Sequence, residues 1–199
     1  MKSIKVLAVC LPVLIVSLQT TAQQPRPVPA PYITGIPVNF VRTWKAAAPE
    51  QDPNVLMNRP LKDVKQATQY LDGLGRPLQT VVKQGSLTTG SAPNDLISPV
   101  EYDEFDREQF KYLPFAANNT GGYPTNDGKF RQNPFQQQEA FMNAQYGTQG
   151  ETFFYSKTNF ESSPLNRVSD AYTAGNSWVG SETNTDPALR RNVQMKYYN

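Results

Sequence analysis

The sequence predicts a mainly β domain of antiparallel β-hairpins, with one short helix near residues 133–146 and long loops. Three observations predict it. Seventeen prolines and 12 glycines punctuate the chain closely, which leaves little room for long helices. Ten Tyr, 10 Phe and 2 Trp supply side chains that suit a pleated, half-buried surface. Apolar residues are only 38% of the chain and fall in short runs bounded by turn formers.

The first segment is a targeting signal by pattern. Lys2 and Lys5 precede an apolar run from Val6 to Leu18, too short for a comfortable membrane span and interrupted by Pro12. Thr20, Thr21 and Ala22 place small residues at cleavage positions. Residues 1–22 are therefore expected to be a signal peptide, with export and a mature chain starting near Gln23. A retained N-terminal anchor is the alternative.

Removing that segment changes the chemistry of what remains. The formal net charge is +2, and Lys2 and Lys5 leave without an acidic residue, so the mature chain is neutral. No basic run is left, so neither nucleic acid nor an anionic membrane is an expected partner. Cys10 is the single cysteine and leaves too, and there is no histidine. Catalysis by Ser-His-Asp or Cys-His groups is excluded, the usual zinc, copper and haem ligands are missing, and no cofactor is expected.

"QQPRPVPAP", from Gln23 to Pro31, opens a proline-rich linker over residues 23–38, expected to be extended and mobile. A β-rich domain follows over 39–199. "NFVRTW", Asn39 to Trp44, is its first strand, broken by the prolines of "KAAAPEQDPN". Val64 to Tyr70 and Leu78 to Lys83 read as two strands by period-two alternation. Gly85 to Asp95 is a polar loop. Val100 and Tyr102, then Phe110 and Tyr112, suggest a second hairpin around Asp103 to Arg107. Asn118 to Gly128 is loop. Asn133 is placed to cap the helix, with Pro134 at its first position and Gln136 as capping-box partner. Phe135, Gln138, Phe141, Met142 and Gln145 form its inner stripe, and Gly147 would end it. Glu151 to Glu161 returns to strand composition, "NSWVGS" is a strand or turn near Trp178, and "NVQMKYYN" is strand-like. A strand-like segment there predicts that the chain continues beyond Asn199.

One loop pattern recurs: Asp72-Gly73-Leu74-Gly75-Arg76, Asp103-Glu104-Phe105-Asp106-Arg107 and Ser163-Pro164-Leu165-Asn166-Arg167. A type I turn favours Asp or Ser at its first residue and accepts Pro at its second. A left-handed residue then completes a three-residue hairpin loop. Gly75, Asp106 and Asn166 are the residue types that reach that region most readily. The first residue and the Arg are expected to face each other across the loop, and the apolar third residue to fold back onto the sheet. The arginines stand 31 and then 60 residues apart, close to one and two steps of a repeat. Three independent turns would draw on the same residue types.

Tyr70 to Pro77 and Glu101 to Arg107 resemble the YD repeats of the RHS family, whose core is Tyr-Asp, two residues, then Gly-Arg. The second copy carries Asp106 for the Gly, the first has Leu71 between Tyr and Asp, and the third lacks Tyr-Asp. In order, "NFVRTW", "YLDGLGRPLQTV", "PVEYDEFDRE", "KYLPFA" and "NFESSPLNRV" resemble the conserved N-terminal domain, of unknown function, of secreted bacterial RHS-repeat proteins. The likeness covers roughly residues 39–180. It implies an RHS-like sheet of hairpins wound into a hollow shell around a variable C-terminal effector, often a toxin. This chain would be a non-catalytic entry module that starts or plugs the shell, with the downstream repeats and effector as intramolecular partners.

Two other classes of function are open to the same residues. Glu101, Asp103, Glu104 and Asp106 could supply a carboxylate pair for glycoside hydrolysis, although clustered acids at turns are ordinarily solvated or paired with a neighbouring Arg. An exported carbohydrate- or surface-binding module would use exposed Tyr, Trp44 or Trp178 as platforms.

Overall fold

The computed structural model describes residues 24–86 and 92–198, so the expected signal peptide lies outside the described residues. Two antiparallel sheets form the domain. The first has the order β1-β2-β3-β4-β6, from β1 (Asn39–Ala46), β2 (Val64–Leu71), β3 (Pro77–Val82), β4 (Leu96–Pro99) and β6 (Phe115–Ala116). The second has the order β5-β7-β8-β9, from β5 (Phe110–Tyr112), β7 (Tyr155–Phe160), β8 (Val168–Tyr172) and β9 (Val193–Gln194). Alternation decides the register. Val64, Thr68 and Tyr70 of β2 and Leu78, Gln79 and Val81 of β3 are buried, and Tyr70 pairs with Gln79 across the ladder.

The expected second hairpin is splayed. Its flanking strands do not pair with each other: β4 pairs with β3 and β6, and β5 pairs with β7. Residues 100–109 lie outside both ladders, so Val100 and Tyr102 are not strand residues. The path nevertheless continues from sheet to sheet, because the Val100 amide donates to Leu78 O and the Thr158 amide to Gln109 O.

The helix α2 (Pro134–Tyr146) bridges the two sheets. Met142 packs with Tyr70, Val81, Ile97, Phe115 and Phe154. Phe135 packs with Tyr112, Phe153, Tyr155 and Val179. The details of its ends differ from expectation. The Asn133 side chain makes no cap bond to the backbone; it accepts from Gln137 Nε2 at 2.9 Å and donates to Thr120 O. Gln136 donates to Pro29 O at 2.6 Å instead of closing a capping box. Gly147 stays right-handed (φ −60°), a 3₁₀ turn follows over Gly147–Gln149, and Gly150 (φ 78°) is the left-handed terminator. Gln145 is exposed.

Two short helices were not expected. Both α1 (Pro53–Asn58) and α3 (Pro187–Arg190) open on an Asp-Pro pair. Asp52 accepts from the Asn54 amide at 2.8 Å, and Asp186 from the Ala188 amide at 2.9 Å. Pro at the first helical position completes each start. The segment around Trp178 is a turn.

The proline-rich segment is not a free spacer. The Arg26 amide donates to the Tyr155 hydroxyl at 2.9 Å, and its guanidinium grips Glu101 through both terminal nitrogens while lying 4.0 Å from the Phe110 ring centroid. Tyr32 N–H donates to Gln132 O at 2.7 Å, and its hydroxyl to Leu78 O at 3.2 Å. Burial holds the Tyr32 phenol well above its ordinary range, with the Glu101 charge adding to it. An extended chain whose own backbone bonds are unmade is well suited to being tied by the bonds of its neighbours.

A buried ion pair fixes the longest loop. Arg131 and Asp95 are both at most 1% exposed and meet at 2.7 Å. Asp95 also accepts from the amides of Gln84 and Gly128, at 2.8 and 2.7 Å. Gln79 forms a two-way amide bridge with the Arg131 backbone. Both Asp95 oxygens are thus bonded, and Arg131 Nη1 also donates to Asp127 at 2.9 Å and to Lys129 O at 2.8 Å, which is how the buried charges are tolerated although Arg131 Nε has no partner.

Candidate functional site

The three repeated loops have closely similar inner geometry. Gly75, Asp106 and Asn166 have φ of 80°, 61° and 52°. In each loop the fourth residue's amide donates to the first residue's carbonyl: Gly75 to Asp72 and Asp106 to Asp103 at 3.1 Å, and Asn166 to Ser163 at 3.3 Å. The third residue's amide reaches the first residue's side chain, Leu74 to Asp72 and Phe105 to Asp103 at 2.9 Å, and Leu165 to Ser163 at 3.2 Å. A short side-chain acceptor at the first position is thus what holds the turn.

The first two loops match bond for bond. Asp72 Oδ1 accepts from the Arg76 amide at 2.9 Å and Oδ2 from Arg76 Nε at 2.8 Å. Asp103 does the same for Arg107 at 2.9 Å each. The third loop is closed differently. Ser163 has no carboxylate, and Arg167 Nε donates to Glu161 at 2.8 Å, while the Ser163 hydroxyl donates to the same carboxylate. The Glu161 amide bonds Arg167 O where Asp72 and Asp103 bond their own arginines. The facing acid is therefore Glu161, two residues upstream of Ser163.

These bonds hold the carboxylates ionised. Asp72 lies below the usual carboxylate range, through the Arg76 amide and then its guanidinium. For Asp103 burial pushes upward, but the Arg107 amide and guanidinium outweigh it and the net shift is down. Glu161 is lowered by Arg167 and then by the Ser163 hydroxyl.

The expectation for the third position is corrected. Leu74, Phe105 and Leu165 are 77%, 63% and 68% exposed, so none folds back onto the sheet. With its amide tied to the first side chain, the third residue sits at the outer tip of the loop. Gly73 makes no demand on space: its φ is not positive and a Cβ there would meet nothing within 4 Å. Pro164 occupies the corresponding second position of the third loop.

The loops are also joined to one another, which no sequence reading anticipated. A terminal nitrogen of Arg76 donates to Asp106, the left-handed residue of the second loop. Arg107 Nη1 donates to Asn166, the left-handed residue of the third, at 3.3 Å. Each arginine also lies over an aromatic of the next hairpin: Arg76 over Tyr102 at 5.0 Å and Arg107 over Phe160 at 4.5 Å. Tyr102 and Phe160 immediately precede the closing acids Asp103 and Glu161. Arg167 repeats the step over Tyr197 at 4.6 Å. The signal that could have revealed this was an aromatic just before the closing acids of the second and third loops, together with a polar side chain at the fourth position of the same two loops.

Glu101 is held by Arg26 and Asp103 by Arg107, Asp106 receives Arg76, and Glu104 is exposed. Trp178 is exposed and Trp44 half-buried. A cleft of about 260 Å³ lies beside the proline strap, lined by Arg26, Val28, Tyr112, Phe135, Gln138 and Thr152 among others. Among the described residues no helix is long and apolar enough to cross a membrane.

No curated protein matches the chain, and no solved structure matches it. A family model does match, over residues 42–190, and that span holds the three loops and most of both sheets. The chain belongs to this family, the domain of unknown function DUF6443.

Proposed function

We propose that this domain is a non-catalytic structural module of an exported RHS/YD-repeat protein, where it starts a β-shell that encloses a C-terminal effector segment of the same polypeptide. The observation that carries the reading is the row of three loops, with Arg76 and Arg107 each bonded to the fourth residue of the loop that follows. Such a row propagates through one repeated contact, as stacked repeat architectures do. It also has a first member. Among the described residues β1 is the outer strand of its sheet. A beginning on one side and a repeating step on the other is what a shell-starting module requires.

The test is the longer gene product. The reading frame after Asn199 is expected to encode many Tyr-Asp…Gly-Arg hairpins, and limited proteolysis of the purified product should release this domain only together with them. A stop codon at that point, or a domain cleaved away freely, overturns the proposal. Expression with residues 1–22 intact should yield an exported chain whose mass begins near Gln23. A free-standing carbohydrate-binding module would instead bind glycans through Trp178, which a glycan array with the Trp178→Ala variant reads directly.

A further inference from the structure

We propose that Arg167 and Tyr197 form a docking step for a fourth hairpin loop, one that carries Asp or Asn in its left-handed position. This inference rests on the reading of the domain as the start of a longer hairpin sheet, and it adds the chemistry by which the next member is chosen.

Tyr102, Phe160 and Tyr197 stand at equivalent positions along the row. β4 runs antiparallel to β3 and returns the chain to the loop side before the second loop. β7 runs antiparallel to β5 and returns it before the third. β9 runs antiparallel to β8, and the Met195 amide extends that pairing to Ser169 O at 2.9 Å. Tyr197 then lies under Arg167 as Tyr102 lies under Arg76 and Phe160 under Arg107. Aromatic and guanidinium are thus already stacked, the half of the step that the preceding members complete with a side-chain acceptor. Among the described residues no fourth loop supplies that acceptor.

The surface around the step is open. Val193 on β9 and Met195, Tyr197 and Tyr198 in the segment after it are all exposed. A guanidinium is planar and a multiple donor, so it favours an oxygen acceptor beside the ring it covers. Asp106 and Asn166 are the two acceptors the chain already uses in this role. The occupant is therefore a hairpin loop ending in Asp-Arg or Asn-Arg, whereas a Gly-Arg loop can pair its strand but cannot accept from Arg167.

The experiment extends the chain at Asn199 with a copy of its own residues 103–112, in two forms: one with the fourth-position Asp retained and one with Gly there. Each is also made with Arg167→Gln. The Asp form is expected to raise Tm by about 2–4 °C over the unextended chain, the shift that a contact of about 1 kcal/mol gives at this size. The Gly form, and the Asp form on Arg167→Gln, should lose at least half of that rise relative to their own unextended parents. In ¹⁵N-labelled protein the Arg167 Nε–H resonance should move only with the Asp form. Equal rises for Asp and Gly, an undiminished rise on Arg167→Gln, or no rise with any extension overturns the docking step. Those results leave the shell reading to its own test, the content of the downstream reading frame.

Discussion

The guanidinium of Arg76 leaves its own loop to bond the carboxylate of Asp106, thirty residues further along the chain. The same arginine is already tied to Asp72 by Nε, so one side chain closes a loop and joins it to the next.

That link is measurable by a double-mutant cycle. Asp106→Gly suits a positive φ better than Asp does, so the backbone gains while the bond is lost. The coupling between Arg76→Gln and Asp106→Gly is expected at about 0.2–1 kcal/mol, because the pair is largely exposed, and it should shrink as salt is raised. Strict additivity in urea unfolding would show that the loops are independent.

Acid should weaken the domain through the loop carboxylates. Asp72, Asp103 and Glu161 have folded-state pKa values below their unfolded ones. Their contribution is present above the unfolded pKa, near about 4, and is lost as pH falls through the lower folded values. Asp72→Asn and Asp103→Asn keep an oxygen for the loop amides, lose the second acceptor of the arginine and do not titrate, so both should flatten the fall in stability below about pH 4–5. An unchanged slope would refute the assignment.

Asp95 is the anchor of the long loop. Asp95→Ala takes one of two carboxylates from the buried Arg131 guanidinium, leaving Asp127 at 2.9 Å, and should cost about 3 kcal/mol by chemical denaturation, the low end for breaking a buried pair. Amide exchange at Gly128 and Gln84, whose bonds run to the Asp95 carboxylate, should accelerate.

The exposed tips make the opposite prediction. Leu74→Ser and Leu165→Ser remove no buried contact and should each change stability by less than about 0.5 kcal/mol, while Phe105→Ser also removes a ring 4.9 Å from the Arg107 guanidinium and should cost no more than about 1 kcal/mol. A larger loss in the isolated domain would restore the discarded idea that these residues fold onto the sheet.

Arg26 supplies the charged fastening of the strap, beside the bonds of Tyr32 and Gln136. Arg26→Ala should cost about 1–3 kcal/mol, from a lost charged hydrogen-bond pair and a lost ring contact. It should also open residues 24–32 to protease before the rest of the domain. Simultaneous cleavage throughout would mean that the strap is fastened by other groups.

Legibility in the sequence followed the range of each interaction. The loop cores were readable because a positive φ restricts residue choice at a single position, and Gly75, Asp106 and Asn166 carry that restriction openly. Glu161 escaped because the third loop is closed two residues further upstream, outside the aligned window. Asp52-Pro53 and Asp186-Pro187 announced two helices, but the prolines were read only as breakers. The strap was misjudged because proline content predicts an extended backbone and says nothing about what lies beside it. The Asp95–Arg131 pair left no mark, since charges in long polar loops are ordinarily wet.

The bond from the Arg26 amide to the Tyr155 hydroxyl spans 129 residues. A ribosome releases the strap first and the ring that receives it only after most of the domain has been made. Fastening the strap is therefore a late event in folding, and a leader or tag retained just upstream of Arg26 would be carried along to that final closure.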